Sequence, residues 1–275
     1  VQLSFAYVDK TLDFLLSIGL KPFIQLGFMP EALSKENVHR FQYSISAPSS
    51  DEKWCRMIDQ LIAHLQQRYG EAEVRSWLFC LWDQPDFAPE RSAFADPAVF
   101  CAFYRLTRRI VKQRDSGIPF GAPATFYLPQ ENSWYLRFLN WCAEHDCLPD
   151  FLNFHYYDLV INSVDTAQQT FGFQESMTLG VTPDGFQKFV THVLGDRRKL
   201  HLEQLPIYLT EWNNTPSQQD LLNDTCFKSC YIVKGILENY DKLDSSAYWS
   251  LTDWMGEGSQ PEQMFFGGLG MFTSD

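Results

Sequence analysis

The sequence has no paired cysteine motif and no cysteine spacing of the zinc-binding type. Its seven cysteines form an odd set, and no histidine or further cysteine completes a metal site beside Cys226 and Cys230. Such a set is typical of reduced, mostly buried thiols in a cytoplasmic protein, and it disfavours a secreted disulfide scaffold. We therefore expect no metal, no cofactor and seven reduced thiols.

Long apolar runs are also absent. No run approaches the roughly 18 residues of a membrane span, so we expect no contact with a membrane. The N-terminus lacks the pattern of a signal peptide, but the chain begins without methionine, which leaves a preceding segment open. Because no low-complexity tract or linker divides the sequence, we predict a single domain over residues 1–275.

Basic residues are few. Lysine and arginine number 22 against 34 aspartates and glutamates, which gives a formal net charge of -12. Binding to nucleic-acid phosphates needs clustered positive charge, so we expect no direct nucleic-acid contact from this segment. Hydrophobic residues make up 45% of the chain, which argues against a disordered chain. Homo-oligomer formation stays open.

Helical apolar stripes alternate with short, continuous apolar runs along the chain. Such runs are typical of buried parallel strands covered by helices. No glycine-rich phosphate loop follows any of them, which disfavours a doubly wound sheet. We therefore predict an α/β fold, a (β/α)8 barrel. The predicted helices lie near residues 7–18, 49–69, 97–111, 135–145, 183–193 and 220–240, and the predicted strands near 22–26, 77–82, 119–121, 151–155, 206–210 and 247–251.

Polar residues mark where several of these helices begin. Ser49 and Glu52 have the spacing of a capping box. Asp96 and Thr182 each precede a proline, and proline is favourable at the first position of a helix. We therefore predict helix starts at these three places.

Polar and aromatic side chains cluster where three of the predicted strands end, at residues 82–85, 155–157 and 210–213. The carboxyl ends of barrel strands are where such folds build their sites. Glycosidic bond cleavage with retention of configuration needs two carboxyl groups, a nucleophile and a proton donor. Strand ends of this composition therefore favour a sugar site.

The order of these segments resembles glycoside hydrolase family 39, the family of β-xylosidases and α-L-iduronidase. The resemblance implies a (β/α) barrel whose first strand and C-terminal β-sandwich are missing from this chain. Either residues have been removed, or a neighbouring chain covers the gap. The segments that carry the resemblance are residues 8–10, 13–15, 21–23, 27–30, 64, 68–70, 82, 85, 149–151, 155, 157, 210–213, 248–249, 253 and 267–268.

The resemblance also implies roles for individual residues. Glu211 falls on the catalytic nucleophile, and Gln84 falls on the acid/base position, where the family has glutamate. Asp83 replaces an asparagine that binds near the sugar 2-hydroxyl, and Gln25 stands where the family often has glutamate. The expected ligand is xylose or a xylo-oligosaccharide. The implied substrate-binding residues are Phe28, Trp82, Asp83, His155, Tyr157, Trp249 and Glu257.

An amide at position 84 changes the expected chemistry. Near neutral pH it neither donates a proton nor acts as a base, and general acid–base help contributes ~10²–10⁴ in rate. We therefore expect a sugar-binding, catalytically impaired barrel. Members of this family also occur as the C-terminal domains of AraC-type transcription regulators, and that setting would make this chain a cytoplasmic sugar sensor.

An active retaining β-glycosidase of the β-xylosidase type, acting through Glu211, is the alternative. It requires another acid, and the sequence offers Asp83, Asp86 and Glu90 near position 84. Side chains alternate along a strand, so we expect Asp83 to point away from the side of Gln84.

Overall fold

The computed structural model describes residues 3–40, 43–87, 93–94, 96–126, 134–161, 177–179, 183–216, 220, 222–223, 225–252 and 269–272. The chain divides into two compact units. The first consists of Val1–Thr125 and Asn132–Leu152, and the second of Phe126–Glu131 and Asn153–Asp275. The single domain over residues 1–275 stays a prediction.

The first unit alternates helices with short strands. Strands β1 and β4 pair in parallel, and β2 and β3 form an antiparallel hairpin. Phe120 bridges Phe79 of β4 in parallel, within the segment where the sequence predicts a third strand. The helices are α1 (Ala6–Ser17), α2 (Asp51–Tyr69), α3 (Glu71–Val74), α4 (Pro97–Arg114) and α5 (Trp134–Glu144), and the strands are β1 (Phe23–Leu26), β2 (His39–Arg40), β3 (Tyr43–Ser44) and β4 (Leu78–Leu81).

The remaining elements follow the same alternation. A four-stranded sheet has the order β10-β9-β6-β5, and β10 runs parallel to β9. Strands β7 and β8 form an antiparallel hairpin. The strands are β5 (Thr125–Phe126), β6 (Leu152–Tyr157), β7 (Leu159–Ile161), β8 (Met177–Leu179), β9 (Ile207–Asn213) and β10 (Ser245–Tyr248), and the helices are α6 (Gly185–Lys199) and α7 (Cys226–Asn239).

The predicted α/β class is confirmed, and the alternation of strand and helix within each unit is the pattern expected of a (β/α) barrel. The two antiparallel hairpins were not predicted, because their strands are two or three residues long and carry no clear period. Within the described residues, no helix combines the length and the apolar content that crossing a membrane requires.

Two of the predicted helix starts need correction. Helix α2 is capped by Ser50, whose hydroxyl accepts from the backbone N–H of Lys53, while the N–H of Ser49 bonds to Leu33 instead. The capping box of Ser49 and Glu52 is therefore wrong by one residue. Helix α6 begins at Gly185 after Asp184, and Thr182 lies outside the described residues.

The third predicted start is correct. The carboxylate of Asp96 accepts from the N–H of Ala98, and Pro97 is the first residue of α4. Helix α7 begins at Cys226, later than the predicted residue 220. Asp220 instead forms a turn, in which its carboxylate accepts from the N–H of Leu222.

Aromatic side chains form the core of the first unit. Trp54 of α2 lies against Phe103 of α4, with ring centroids 5.0 Å apart, and its indole N–H donates to the buried hydroxyl of Thr107. Each aromatic pair of this kind adds about 0.5–1.5 kcal/mol beyond the area it buries. The cluster ties α2 to α4 and supports the strand end that follows β4. Its other members are Trp82, Phe94, Phe100, Tyr104, Phe120, Trp134 and Phe138.

All seven cysteines are present as thiols, as the sequence predicts. Cys226 and Cys230 are exposed on α7, Cys55 is half-buried, and the other four are buried. Burial raises the pKa of Cys101 to about 12. A hydrogen bond to Cys147 raises the pKa of Cys142 and lowers that of Cys147.

Gly121 lies where the backbone approaches Phe151 so closely that a Cβ would come within 1.9 Å of the ring. We expect Gly121→Ala to lower the free energy of unfolding by about 1–3 kcal/mol, because the ring must shift. Gly195→Ala is the matched control, since a Cβ there meets nothing within 4 Å and alanine favours a helix by about 1 kcal/mol. Urea unfolding measures both variants. Equal stability of the two variants would contradict the close contact.

The exposure of the thiols predicts how fast they react. Thiolates are the reacting species, so a raised pKa slows Cys101 and Cys55 further at pH 8. With Ellman's reagent, we expect two fast equivalents from the native chain and seven after unfolding. Cys226→Ser combined with Cys230→Ser should remove the fast phase. A fast phase that survives this double change would show that the buried thiols are accessible.

Candidate functional site

The segment after β4 carries two residues with left-handed backbone geometry. The φ angles are 66° at Trp82 and 42° at Gln84, a region that non-glycine residues seldom adopt. Hydrogen bonds hold the segment on both sides: Trp82 donates its N–H to Leu26 at 3.1 Å, and Gln84 donates to Ala124 at 2.8 Å. Such geometry costs about 1–3 kcal/mol per residue and clusters at functional sites.

Gln25 of β1 reaches the same segment. Its side-chain Nε2 donates to the carbonyl oxygen of Trp82 at 2.6 Å and lies 3.3 Å from Oδ1 of Asp83. Asp83 itself pairs in parallel with Ala124. The first unit therefore brings Gln25, Asp83 and Gln84 to the ends of adjacent strand segments, and the side chain of Gln84 is only 7% exposed.

Trp82 and Phe28 differ in what they can offer a ligand. The indole of Trp82 is 2% exposed and meets Phe28, Phe94 and Phe103 edge to face, at centroid distances of 5.5, 4.7 and 6.2 Å. Phe28 is half-buried. Phe28 therefore retains accessible ring surface, whereas Trp82 mainly supports it from behind.

Glu211 lies on β9, and the neighbouring Trp212 anchors this strand. The two side chains have partners on opposite faces of the strand: Glu211 contacts His155 and Tyr157 of β6, whereas Trp212 packs against α6. Trp212 stacks on Phe186 of α6 at 4.6 Å. Helix α7 approaches this stack through Gly235, where a Cβ would lie 2.9 Å from Phe186 and 3.0 Å from Trp212. The packing behind β9 thus fixes the direction of Glu211.

Two side chains of β6 contact the carboxylate of Glu211. The hydroxyl of Tyr157 donates to Oε2 at 2.7 Å, and Nδ1 of His155 lies 3.3 Å from the same oxygen. His155 is 2% exposed, whereas the side chain of Glu211 is 18% exposed. The carboxylate is therefore oriented by two buried partners and still accessible to a ligand.

The adjacent tyrosine, Tyr156, faces the other side of β6. It stacks on Phe186 and Phe189 at 5.3 and 4.7 Å, and burial raises its pKa well above the usual range. A neutral, packed phenol of this kind stabilises the packing of β6 against helix α6. Of the two tyrosines, Tyr157 alone contacts Glu211.

His155 also contacts Thr210, which in turn bonds Asn153, and neither residue was among the predicted site residues. Its Nε2 lies 3.1 Å from the hydroxyl of Thr210, and that hydroxyl donates to Oδ1 of Asn153 at 2.7 Å. Asn153 and His155 are two residues apart on β6, so they share a face. A period-two reading of residues 153–157 would have identified Asn153 from the sequence.

Trp249 follows β10 and is tied to the end of β9. Its N–H donates to the carbonyl oxygen of Trp212 at 3.0 Å, and its own carbonyl oxygen accepts from Asn213. The ring is half-buried, so part of its face can contact a ligand. The predicted Glu257 lies outside the described residues.

Of the alternative acids near Gln84, Asp86 lies in a short helical turn, Pro85–Phe87, and is half-buried. Glu90 lies outside the described residues. The roles predicted for all of these residues stay predictions.

In the second unit, the surroundings of Glu211 are those that a carboxylate nucleophile requires. A carboxylate that attacks an anomeric carbon must be held in one orientation and remain accessible. Tyr157 and His155 hold Oε2 of Glu211, and the packed Trp212 holds the strand. The first unit provides an amide, Gln84, on a strained and tightly bonded segment. An amide in this place provides hydrogen bonds but no proton.

Comparison with known proteins agrees with the sequence resemblance. The family described as Glycosyl hydrolases family 39 matches residues 1–275. A β-xylosidase of Caldicellulosiruptor saccharolyticus is 34% identical over 279 aligned positions, which cover 99% of this chain and 54% of the relative. A β-xylosidase of Geobacillus stearothermophilus is 31% identical, with 98% of this chain and 52% of the relative covered.

The fold is also found among solved structures. The crystal structure of a monomeric β-xylosidase from Caulobacter crescentus CB15 matches with a TM-score of 0.84 and 28% identity, covering 98% of this chain and 53% of that one. The chain spans about half the length of the curated relatives it matches. The family match extends over every residue given, and the chain therefore belongs to glycosyl hydrolases family 39.

Proposed function

We propose that this chain is a sugar-binding domain of the β-xylosidase type whose hydrolysis of natural glycosides is impaired. The observation that carries the proposal is the amide of Gln84, buried at 7% exposure at the end of β4, in a family whose mechanism requires a carboxyl group there. Family membership and the β-xylosidases among the relatives support the sugar class.

The amide affects one chemical step more than the other steps. Departure of an alkyl or sugar alkoxide needs a proton from the enzyme, and Gln84 has none to give near neutral pH. Attack by Glu211 needs no proton from Gln84. Substrates whose leaving group departs as a stable anion should therefore still form a glycosyl ester with Glu211.

Binding does not require the missing acid. Phe28 and Trp249 each keep an accessible aromatic face, and Asp83, His155 and Glu211 provide polar groups. We propose that each of these residues takes part in binding a sugar of the xylose type, and that residues 1–275 act as one domain. The match of one family over the whole chain supports this arrangement.

We also propose that this chain is the sugar-sensing domain of a transcription regulator. A barrel that binds a sugar without consuming it suits a sensor, the role expected of family members that form part of AraC-type regulators. Seven cysteines without a disulfide support a reducing, cytoplasmic compartment. Direct contact with nucleic acid is not expected of this segment, because its net charge is -12.

The alternative is an active retaining β-glycosidase. Curated relatives named β-xylosidase, at 34% and 31% identity, favour it. It requires that another acid take the place of Gln84. Asp83 is expected to point away from the side of Gln84, which leaves Asp86 as the candidate among the described residues. The two proposals differ in one measurable property, the dependence of the rate on the leaving group.

Glycosides with good and poor leaving groups separate the two proposals. We expect the wild-type chain to cleave an activated aryl β-xyloside slowly and xylobiose negligibly. Azide should accelerate the aryl reaction, because it attacks the anomeric carbon, displaces Glu211 and needs no base. We expect Gln84→Glu to raise xylobiose hydrolysis by ~10²–10⁴. Product formation and glycosyl azide are measured by chromatography.

The control for this gain is the double variant Gln84→Glu with Glu211→Gln, which should lose it. If the wild-type chain cleaves xylobiose at about 10 s⁻¹, an ordinary enzymatic rate, the impaired reading is wrong. The alternative then holds, and Asp86→Asn becomes the next variant to test.

Calorimetry tests binding independently of turnover. We expect xylose or xylobiose to bind both the wild-type chain and Glu211→Gln, because the amide is nearly isosteric with the carboxylate. Phe28→Ala should weaken binding about tenfold, equivalent to about 1.4 kcal/mol, through loss of its ring surface. Phe14→Ala removes an exposed phenylalanine of α1 and serves as the matched control. Absence of heat with every xylose-type sugar would contradict the proposed ligand.

A further inference from the structure

We propose that Thr210 and Asn153 are positioning residues that keep the proton of the neutral His155 ring on Nε2 and so leave Nδ1 facing Glu211 without a hydrogen. The functional part of this inference rests on the proposed function, because it assigns Glu211 as the nucleophile. The four residues lie on two adjacent strands, β6 and β9, of the second unit.

The hydroxyl of Thr210 sets the direction of the hydrogen bonds around His155. A threonine hydroxyl has a single hydrogen, and Thr210 donates it to Oδ1 of Asn153 at 2.7 Å. Asn153 is completely buried, so solvent does not compete for this bond. The oxygen of Thr210 is then an acceptor toward Nε2 of His155, which lies 3.1 Å away.

The other ring nitrogen, Nδ1, faces Glu211. A neutral imidazole carries one N–H, and a proton on Nε2 leaves a lone pair on Nδ1. Nδ1 lies 3.3 Å from Oε2 of Glu211. In this tautomer the neutral ring gives no hydrogen bond to the ionised carboxylate. Tyr157, at 2.7 Å, remains the neutral donor to that oxygen among the contacts described.

The position of the ring proton affects the reactivity of Glu211. A hydrogen bond to a carboxylate stabilises its charge and thereby weakens it as a nucleophile. If the proton moved to Nδ1, the neutral ring would donate to Oε2. Thr210 and Asn153 oppose this tautomer, because it would break the hydrogen bond of 3.1 Å between Nε2 and Thr210 in exchange for the longer contact of 3.3 Å between Nδ1 and Oε2. They therefore keep Glu211 reactive through His155 without contacting the sugar.

The tautomer is directly observable. Long-range ¹H–¹⁵N correlation spectra of histidine-labelled protein distinguish Nε2–H from Nδ1–H in the neutral ring, and His155→Gln identifies the signals. We expect His155 to carry its proton on Nε2 in the wild-type chain and in Thr210→Ser, which keeps the hydroxyl. Thr210→Val removes the hydroxyl and should move population to Nδ1–H.

Two further variants complete the comparison. Asn153→Ala leaves the Thr210 hydroxyl able to donate to Nε2, so it should also move population to Nδ1–H. This variant tests the inference if Thr210→Val does not fold. Thr107→Val removes another buried hydroxyl, which bonds Trp54 and Phe103 in the first unit, and should leave His155 unchanged.

We expect kcat to change together with the tautomer. On an activated aryl β-xyloside, Thr210→Val should lower kcat about tenfold with little change in KM, since a hydrogen bond to a charged group is worth about a factor of ten or more. Thr210→Ser should restore it. If Thr210→Val lowered kcat only by destabilising the fold, Thr210→Ser would not restore both kcat and the Nε2–H tautomer.

A proton on Nδ1 in the neutral wild-type ring, or an unchanged tautomer in both Thr210→Val and Asn153→Ala, would overturn the inference. The spectra are recorded without sugar, so they decide the tautomer even if no glycoside binds. Conversely, failure of sugar binding with the expected spectra would overturn the proposed function and leave the tautomer assignment standing.

Discussion

Glu211 and Trp212 occupy neighbouring positions on β9 and face opposite sides, and the described part of the second unit is organised around this pair. Trp212 is held by Phe186 and by the close approach of α7 at Gly235. Any rotation of the strand that moved Glu211 away from Tyr157 and His155 would also pull the indole out of its stack. Hydrophobic packing on one face therefore fixes the geometry of a polar cluster on the other.

The first unit shows a similar division between support and chemistry. Trp82 lies in an aromatic cluster, while the next two residues, Asp83 and Gln84, carry the polar groups. The strained backbone is held by bonds to Leu26 and Ala124. Glutamine has the shape of glutamate but no carboxyl proton.

Much of the fold could be predicted because it depends on local patterns. The apolar runs at residues 77–82 and 206–210 and the proline after Asp96 gave strands and a helix start close to those observed. The cap of α2 was misplaced because Ser49 and Ser50 are adjacent and only the tertiary bond from Ser49 to Leu33 decides between them. Family motifs gave the candidate site residues. Periodicity places Asn153 on the same face of the strand as His155, but it gives no indication of the burial of Trp82 or of the hydroxyl of Thr210 between Asn153 and His155, because both depend on contacts across the chain.

The exposed thiols of α7 have a practical consequence. Cys226 and Cys230 are one helical turn apart, so they lie on the same side of the helix. A bifunctional label attached to both would have little freedom of its own and would report the orientation of α7. This helix touches Trp212 through Gly235, and Trp212 is covalently next to Glu211. The chain thus carries a native attachment point for a spectroscopic reporter, one helix away from the carboxylate and without any engineered cysteine.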